Sequence, residues 1–268
     1  MKLLAIHIER PVYLLPALVW TLPFLCCALL FGACAQAKAA SAAEAYQALK
    51  KEHEAAQQEF SKVYGAAKTD EERQKAMVKY PDPQKFAGRF LAIAEKNPKD
   101  PAAIDALVWV ATRGRSGPAF EKALDILYRE HLQSEKIGAV CQSLIYSDSK
   151  DAEQLLRGVM EKNSHHEAQG QATLSLAQFL NRRSGMNPSN PASQEAEKLF
   201  EQVVGKYADV KGYRGTLADL ATSELFEVRN LGIGKVAPDI EGEDVEGKRF
   251  KLSEYRGKVV VIDFWGDW

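Results

Sequence analysis

Four cysteines, two adjacent histidines and one aspartate beside tryptophans are the candidates for redox, metal-binding or proton-transfer chemistry. Cys26, Cys27 and Cys34 stand inside or at the edge of an uncharged N-terminal run, so beyond it the chain keeps only Cys141. A lone thiol in an exported chain is either a small buried hydrophobe or a free reactive group. Cys141 lies in Ile137-Gly-Ala-Val-Cys-Gln-Ser-Leu-Ile145, an apolar helical face, so burial is expected. His165 and His166 are neighbours; on a helix they diverge by about 100° and do not converge on one metal. They read as polar first-turn residues, and neither a metal nor a cofactor is expected. Asp263, Trp265 and Trp268 fall in the closing Asp263-Phe-Trp-Gly-Asp-Trp268. Taken alone they read as a strand end followed by core aromatics.

The elements that must position these residues begin with a targeting segment. Lys2 and Arg10 form a basic start, Pro11 to Ala33 carries no charge, and small residues cluster from Gly32 to Ala37. That order is the order of a secretory signal, expected over residues 1–35. Two alternatives stay open: a lipoprotein signal acylated at Cys34, or an uncleaved membrane anchor interrupted by Pro16 and Pro23. Each puts the remainder outside the cytoplasm, in the periplasm or facing it. With 35 basic and 36 acidic side chains, no charge argument points to nucleic acid. The membrane is expected to be met only through the N-terminal segment.

Residues 41–230 carry helical period and helix punctuation. Ser41-Ala-Ala-Glu44, Thr69-Asp-Glu-Glu72 and Ser164-His-His-Glu167 read as capping boxes, in which hydroxyl and glutamate satisfy each other's free backbone N–H groups. Asp82-Pro83, Asp100-Pro101, Gly117-Pro118 and Asn190-Pro191 put proline at a first helical position, where a missing N–H costs nothing. Starts expected near Pro83, Pro101, Pro118, Ser134, Asp148 and Ser164 pair into a unit of about 34 residues, the length of a tetratricopeptide-type hairpin. The expectation is a mainly α, TPR-like right-handed solenoid without a sheet, its last hairpin interrupted by a loop from Ser184 to Ser193. Such an array commonly binds peptides or partner proteins. Trp109, in Leu107-Val-Trp-Val-Ala111, reads as core, and Glu71 to Lys75 as a solvated helix face.

From Gly232 onward the pattern changes. The short run Val236–Ile240 leads into a turn-rich stretch, Glu241 to Gly247, and then a strand-like Lys248–Leu252. Ser253-Glu-Tyr-Arg-Gly257 reads as a capped single turn closed by glycine. Val259 to Phe264 is a β-branched run of the kind buried on both faces of a parallel sheet. In order and spacing, Gly234-Lys-Val-Ala-Pro-Asp239, Gly247-Lys-Arg-Phe-Lys-Leu-Ser253 and Tyr255-Arg-Gly-Lys-Val-Val-Val-Ile-Asp-Phe-Trp-Gly-Asp-Trp268 resemble the opening of the redoxin group. More narrowly they resemble its exported, TlpA-like thiol-disulfide oxidoreductases. The likeness covers residues 232–268, about a quarter of such a domain, and implies the N-terminal β part of a thioredoxin-like α/β domain.

The resemblance places a Cys-x-x-Cys directly after Trp268, so no catalytic cysteine stands in the chain. It implies auxiliary roles for Asp263, as the buried carboxylate that assists proton transfer, and for Trp265 and Trp268, as aromatics flanking the redox centre. Protein thiols and disulfides are the implied substrates. A peroxiredoxin-type antioxidant shares the Ala237-Pro-Asp239 opening, but its proline turn before the peroxidatic cysteine has no counterpart in Phe264 to Trp268. A non-enzymatic helical binding protein with a vestigial tail is the other alternative.

Overall fold

The computed structural model describes residues 41–185, 187–232 and 234–263. The N-terminal segment read as a signal, with Cys26, Cys27 and Cys34, lies outside the described residues, as do Phe264, Trp265 and Trp268.

Capping chemistry sets most of the helix starts. In α1 (Ala42–Ala66) the Ser41 hydroxyl accepts the Glu44 N–H at 3.2 Å, and the Glu44 carboxylate accepts the Ser41 N–H at 2.8 Å. Thr69 and Glu72 repeat the exchange at α2 (Asp70–Met77). Asp82, Asp100 and Asn190 cap α3 (Pro83–Lys96), α4 (Pro101–Trp109) and, further on, the helix that opens at Pro191. Gly117, at φ 86°, turns the chain into α5 (Pro118–Glu130) without a side-chain cap. Next come α6 (Ile137–Ser143), which runs into a 3-10 turn at Leu144–Tyr146, and α7 (Lys150–Lys162). The last three helices are α8 (His166–Arg183), α9 (Pro191–Lys206) and α10 (Leu217–Asn230).

Three starts differ from the sequence reading. Those expected at Ser134, Asp148 and Ser164 fall at Ile137, Lys150 and His166. The box expected at Ser164 does not form, because Asn163 takes its place. Asn163 is 2 % exposed; its Oδ1 accepts the His165 N–H at 2.7 Å, and its Nδ2 donates to the carbonyls of Leu132 and Ser134 at 2.5 and 3.1 Å. The Ser164 N–H goes to Gln133 Oε1. A buried amide with three partners holds the α5–α6 connection against the α7–α8 turn, and that long-range bond outcompetes the local cap.

Helices pack on near neighbours in sequence: α3 on α4 and α5, α5 on α7, α6 on α8, α8 on α9 and α10. Phe90, Phe120, Phe179 and Phe200 are fully enclosed in one continuous core with Leu107 and Leu155. Each such side chain contributes about 1.5–3 kcal/mol by leaving water. Arg157 of α7 is clasped by Glu153 on its own helix and, at 2.6 and 3.0 Å, by both oxygens of Glu195 on α9. Among the described residues of 41–230 there is no strand, only one antiparallel bridge, Lys211 with Thr216, before α10.

The remainder is lightly built. β1 (Glu241–Glu243) pairs antiparallel with β2 (Arg249–Lys251), Gly242 opposite Phe250. β1 lies in the stretch read as turn-rich, and Val236–Ile240 forms no strand. From Phe226 to Asp263 no described residue is buried. Among the described residues no helix is long and apolar enough to cross a membrane.

Candidate functional site

Residues 234–263 fold around two aspartates. Asp244 closes the hairpin: its Oδ1 accepts the N–H groups of Glu246 and Lys248, both at 2.9 Å, while Gly247 makes the turn at φ 77°. Asp239 works over a longer range. Its carboxylate accepts both the N–H and the hydroxyl of Ser253, each at 2.8 Å, and so caps the 3-10 turn Leu252–Tyr255 from fourteen residues away. These two bonds, the hydroxyl's first, hold the Asp239 carboxyl below the usual range. The Leu252 N–H to the Ile240 carbonyl, 2.9 Å, joins the same two segments. The capped turn read at Ser253 therefore exists, but its cap is Asp239, and Gly257 ends it at φ 82°.

Phe250 meets Tyr255 edge-on, with centroids 6.4 Å apart, and the Lys258 ammonium lies 5.7 Å from the centre of the Tyr255 ring. After this small cluster the chain stops pairing. Val259–Asp263 forms no strand, and Val259 and Val261 are 97 and 89 % exposed, so the burial on both faces that such a run has inside a complete parallel sheet is not seen here. The physical reason is the lack of partner strands among the described residues: β1 and β2 pair only with each other. Asp263 is exposed. Trp265 and Trp268 lie outside the described residues.

The other chemistry-bearing residues are placed clearly. Cys141 is fully buried among helices, and desolvation pushes its thiol up to about 12. A thiolate is the reactive form, so this cysteine is inert at neutral pH. His166 Nε2 lies 3.0 Å from Asp209 Oδ1 and its ring 5.0 Å from that of Tyr207, while His165 faces solvent. No metal-binding cluster occurs among the described residues. Trp109 stacks on Phe90 with centroids 4.0 Å apart, as a core residue.

The helical part carries a groove across α6, α8 and the loop before α10. Its cavity, about 510 Å³, is lined by Gln142, Gln171, Gln178 and Lys211, with Tyr146 and Tyr213 at 79 and 71 % exposure. Sequence reasoning did not find these tyrosines. Both stand in short connections, where period carries no signal. Only the aromatic type in a polar loop could have marked them.

A short stretch of this chain is similar to thiol-disulfide oxidoreductases. The protein described as thiol-disulfide oxidoreductase ResA in Geobacillus thermodenitrificans is 45% identical over 38 residues, 14% of this chain and 22% of that protein. The Geobacillus kaustophilus protein of the same description is 40% identical over 47 residues, 18% of this chain and 27% of its own. That of Bacillus anthracis is 38% identical over 56 residues, 21% and 28%. The chain thus spans about a quarter of the length of the curated relatives it matches. No family model matches it, and no solved structure does.

Proposed function

We propose that this chain belongs to an exported, thioredoxin-like thiol-disulfide oxidoreductase. In this reading residues 1–35 direct export, 41–230 form a TPR-like partner-binding module, and 232–268 open the redoxin domain. The observation that carries it is the similarity to thiol-disulfide oxidoreductases, which we assign to the stretch ending Tyr255 to Trp268. The Asp239–Ser253 clasp supports the assignment, since it gives the Ala237-Pro-Asp239 and Leu252-Ser253 motifs a shared structural task.

The chemistry would use a Cys-x-x-Cys pair following Trp268, at the start of a helix whose dipole and free N–H groups lower the first thiol's pKa. Its thiolate attacks a substrate disulfide, one substrate sulfur leaves as thiolate, and a mixed disulfide forms. The second cysteine's thiolate then displaces the other substrate sulfur and closes the enzyme disulfide. Two electrons pass to the substrate. Asp263 would take and return the second thiol's proton, and Trp265 and Trp268 would shield the centre. For the helical module, Pro83 and Pro118 open α3 and α5, every second helix, at close to a period of about 34 residues. The groove bearing Tyr146 and Tyr213 is the surface we assign to a protein partner.

Sequencing the gene past the Trp268 codon tests the reading directly. A Cys-x-x-Cys in the next codons is the expected result. A stop codon, or a Thr-x-x-Cys step of the peroxiredoxin kind, would sink it.

A further inference from the structure

We propose that the cleft between α1, the α2–α3 connection and the turn after α4 binds a carboxylate-bearing ligand. Its cavity, about 420 Å³, is lined by His53 and Gln57 of α1, Tyr80, Gln84, and the pair Arg113 and Arg115. That volume suits a small organic acid or a chain terminus.

The backbone is the first reason. α4 widens into a π-helical turn, Val110–Gly114, and Arg115 follows at φ 59°, the one non-glycine residue with positive φ among the described residues. Both features raise the energy of ordinary side chains, and such strain persists only where the surroundings impose it. Gln84 imposes it here. Its Nε2 donates to the Gly114 carbonyl and, at 2.9 Å, to that of Ser116. A glycine at 115 would make the same turn without strain. The chain instead places an arginine there, which presents a guanidinium to the cleft.

Charge is the second reason. Arg89, Arg157 and Arg229 are each clasped by glutamates. Arg113 and Arg115 are exposed and have no acidic partner among the described residues. Asp82 also lines the cleft, but its Oδ1 already accepts the Gln84 N–H at 2.9 Å. Two guanidiniums, two positions apart on the same turn, offer forked donors that match a carboxylate.

His53 is the third reason. It is 3 % exposed, its ring lies edge-on to Phe86 and Trp109 at 4.9 and 5.0 Å, and its Nε2 has no hydrogen-bond partner. A buried polar group left unsatisfied costs about 1–3 kcal/mol. Burial first, and Arg113 second, hold its pKa below the ordinary 6.5, so the ring is neutral and keeps one N–H to donate. Glu54 on its own helix opposes that shift, while Tyr80, Asp82 and Arg115 line the same cleft. A carboxylate bridging Arg113 and Arg115 gives the imidazole its missing acceptor, and the Tyr80 ring walls the ligand's apolar part.

Titration of the full chain tests this, read by the ring resonances of His53 in long-range proton–nitrogen spectra. The probes are succinate, a pentapeptide with a free C-terminal carboxylate, its amidated twin, and inorganic phosphate. Saturable shifts with succinate or with the free peptide, and not with the amidated one, are expected; the arm that responds identifies the source. Arg113→Gln should weaken binding at least about tenfold, the loss of about 1.4 kcal/mol. Arg115→Gly keeps the turn, because glycine accepts positive φ; it should leave the melting temperature unchanged or higher while weakening binding as much. No saturable shift at concentrations tenfold above a ~1 mM Kd would overturn the proposal. So would phosphate binding as tightly as the carboxylates, or full binding by the Arg115→Gly protein.

Discussion

Cys141 and His53 are both buried, and burial favours the neutral form of each, with opposite consequences for pH. The Cys141 thiol titrates near 12 in the folded chain, against about 9 when exposed. Between those values the unfolded chain has lost a proton that the folded chain keeps, so stability should fall as pH rises through that window. His53 has its pKa lowered from 6.5. Below pH 6.5 the unfolded chain gains a proton that the folded chain resists, so stability present above 6.5 should be lost as pH falls. Urea midpoints for wild type, Cys141→Ala and His53→Phe check both signs. The alkaline fall should flatten in the first variant and the acid fall in the second. In a Gln36–Trp268 chain, where Cys141 is the one cysteine, a thiol-labelling reagent at neutral pH should modify it only as the chain unfolds; fast labelling of the native protein would contradict its burial.

At the scale of elements, what joins one hairpin to the next is a few polar anchors among apolar faces. Asn163 makes two hydrogen bonds from the α7–α8 turn to the α5–α6 connection and accepts a third within its own turn. Asn163→Ala leaves two carbonyls and one N–H unmet, so a loss of about 3–4.5 kcal/mol is expected, at roughly 1–1.5 kcal/mol per bond. Thr216 caps α10, its hydroxyl accepting the Asp219 N–H at 3.2 Å, and Thr216→Ala should cost about 1 kcal/mol. If denaturant unfolding ranks the second variant below the first, the anchor role of Asn163 is wrong. The same logic applies to the hairpin. Asp239→Ala should free the Ser253 amide to exchange while the amides of α8 stay protected, since no described residue from Phe226 to Asp263 is buried.

At the scale of the whole molecule, a well-enclosed helical array precedes a segment with almost no core. Val259–Ile262 has exposed β-branched side chains and no strand partner among the described residues, a known aggregation hazard. Its amides should exchange at close to unfolded rates in a monomeric Gln36–Trp268 chain; strong protection would mean the segment is already stably folded. The same chain should show no turnover in an insulin-reduction assay. Cys141 is its one cysteine, and a single thiol cannot cycle through an intramolecular disulfide.

Helix type and most helix starts were legible in the sequence because caps are local: Ser41 with Glu44 and Asp82 before Pro83 act within a few residues of backbone. The burial of Cys141 and Trp109 was legible for a related reason, since both stand in apolar helical faces. The start at His166 was not legible, because Asn163 answers to carbonyls about thirty residues back in the chain. Nor was the cap that Asp239 gives to Ser253, fourteen residues away. The cleft of His53, Arg113 and Arg115 depends still more on tertiary structure. It needs Gln84 to hold the turn after α4 open and α1 to lie across it. Periodicity and capping mark, in the chain alone, which segments are helical and which of their faces turn inward. Which polar groups from distant segments meet follows from packing in three dimensions, because hydrogen bonds and cavities form between elements whose separation in the chain leaves no periodic trace.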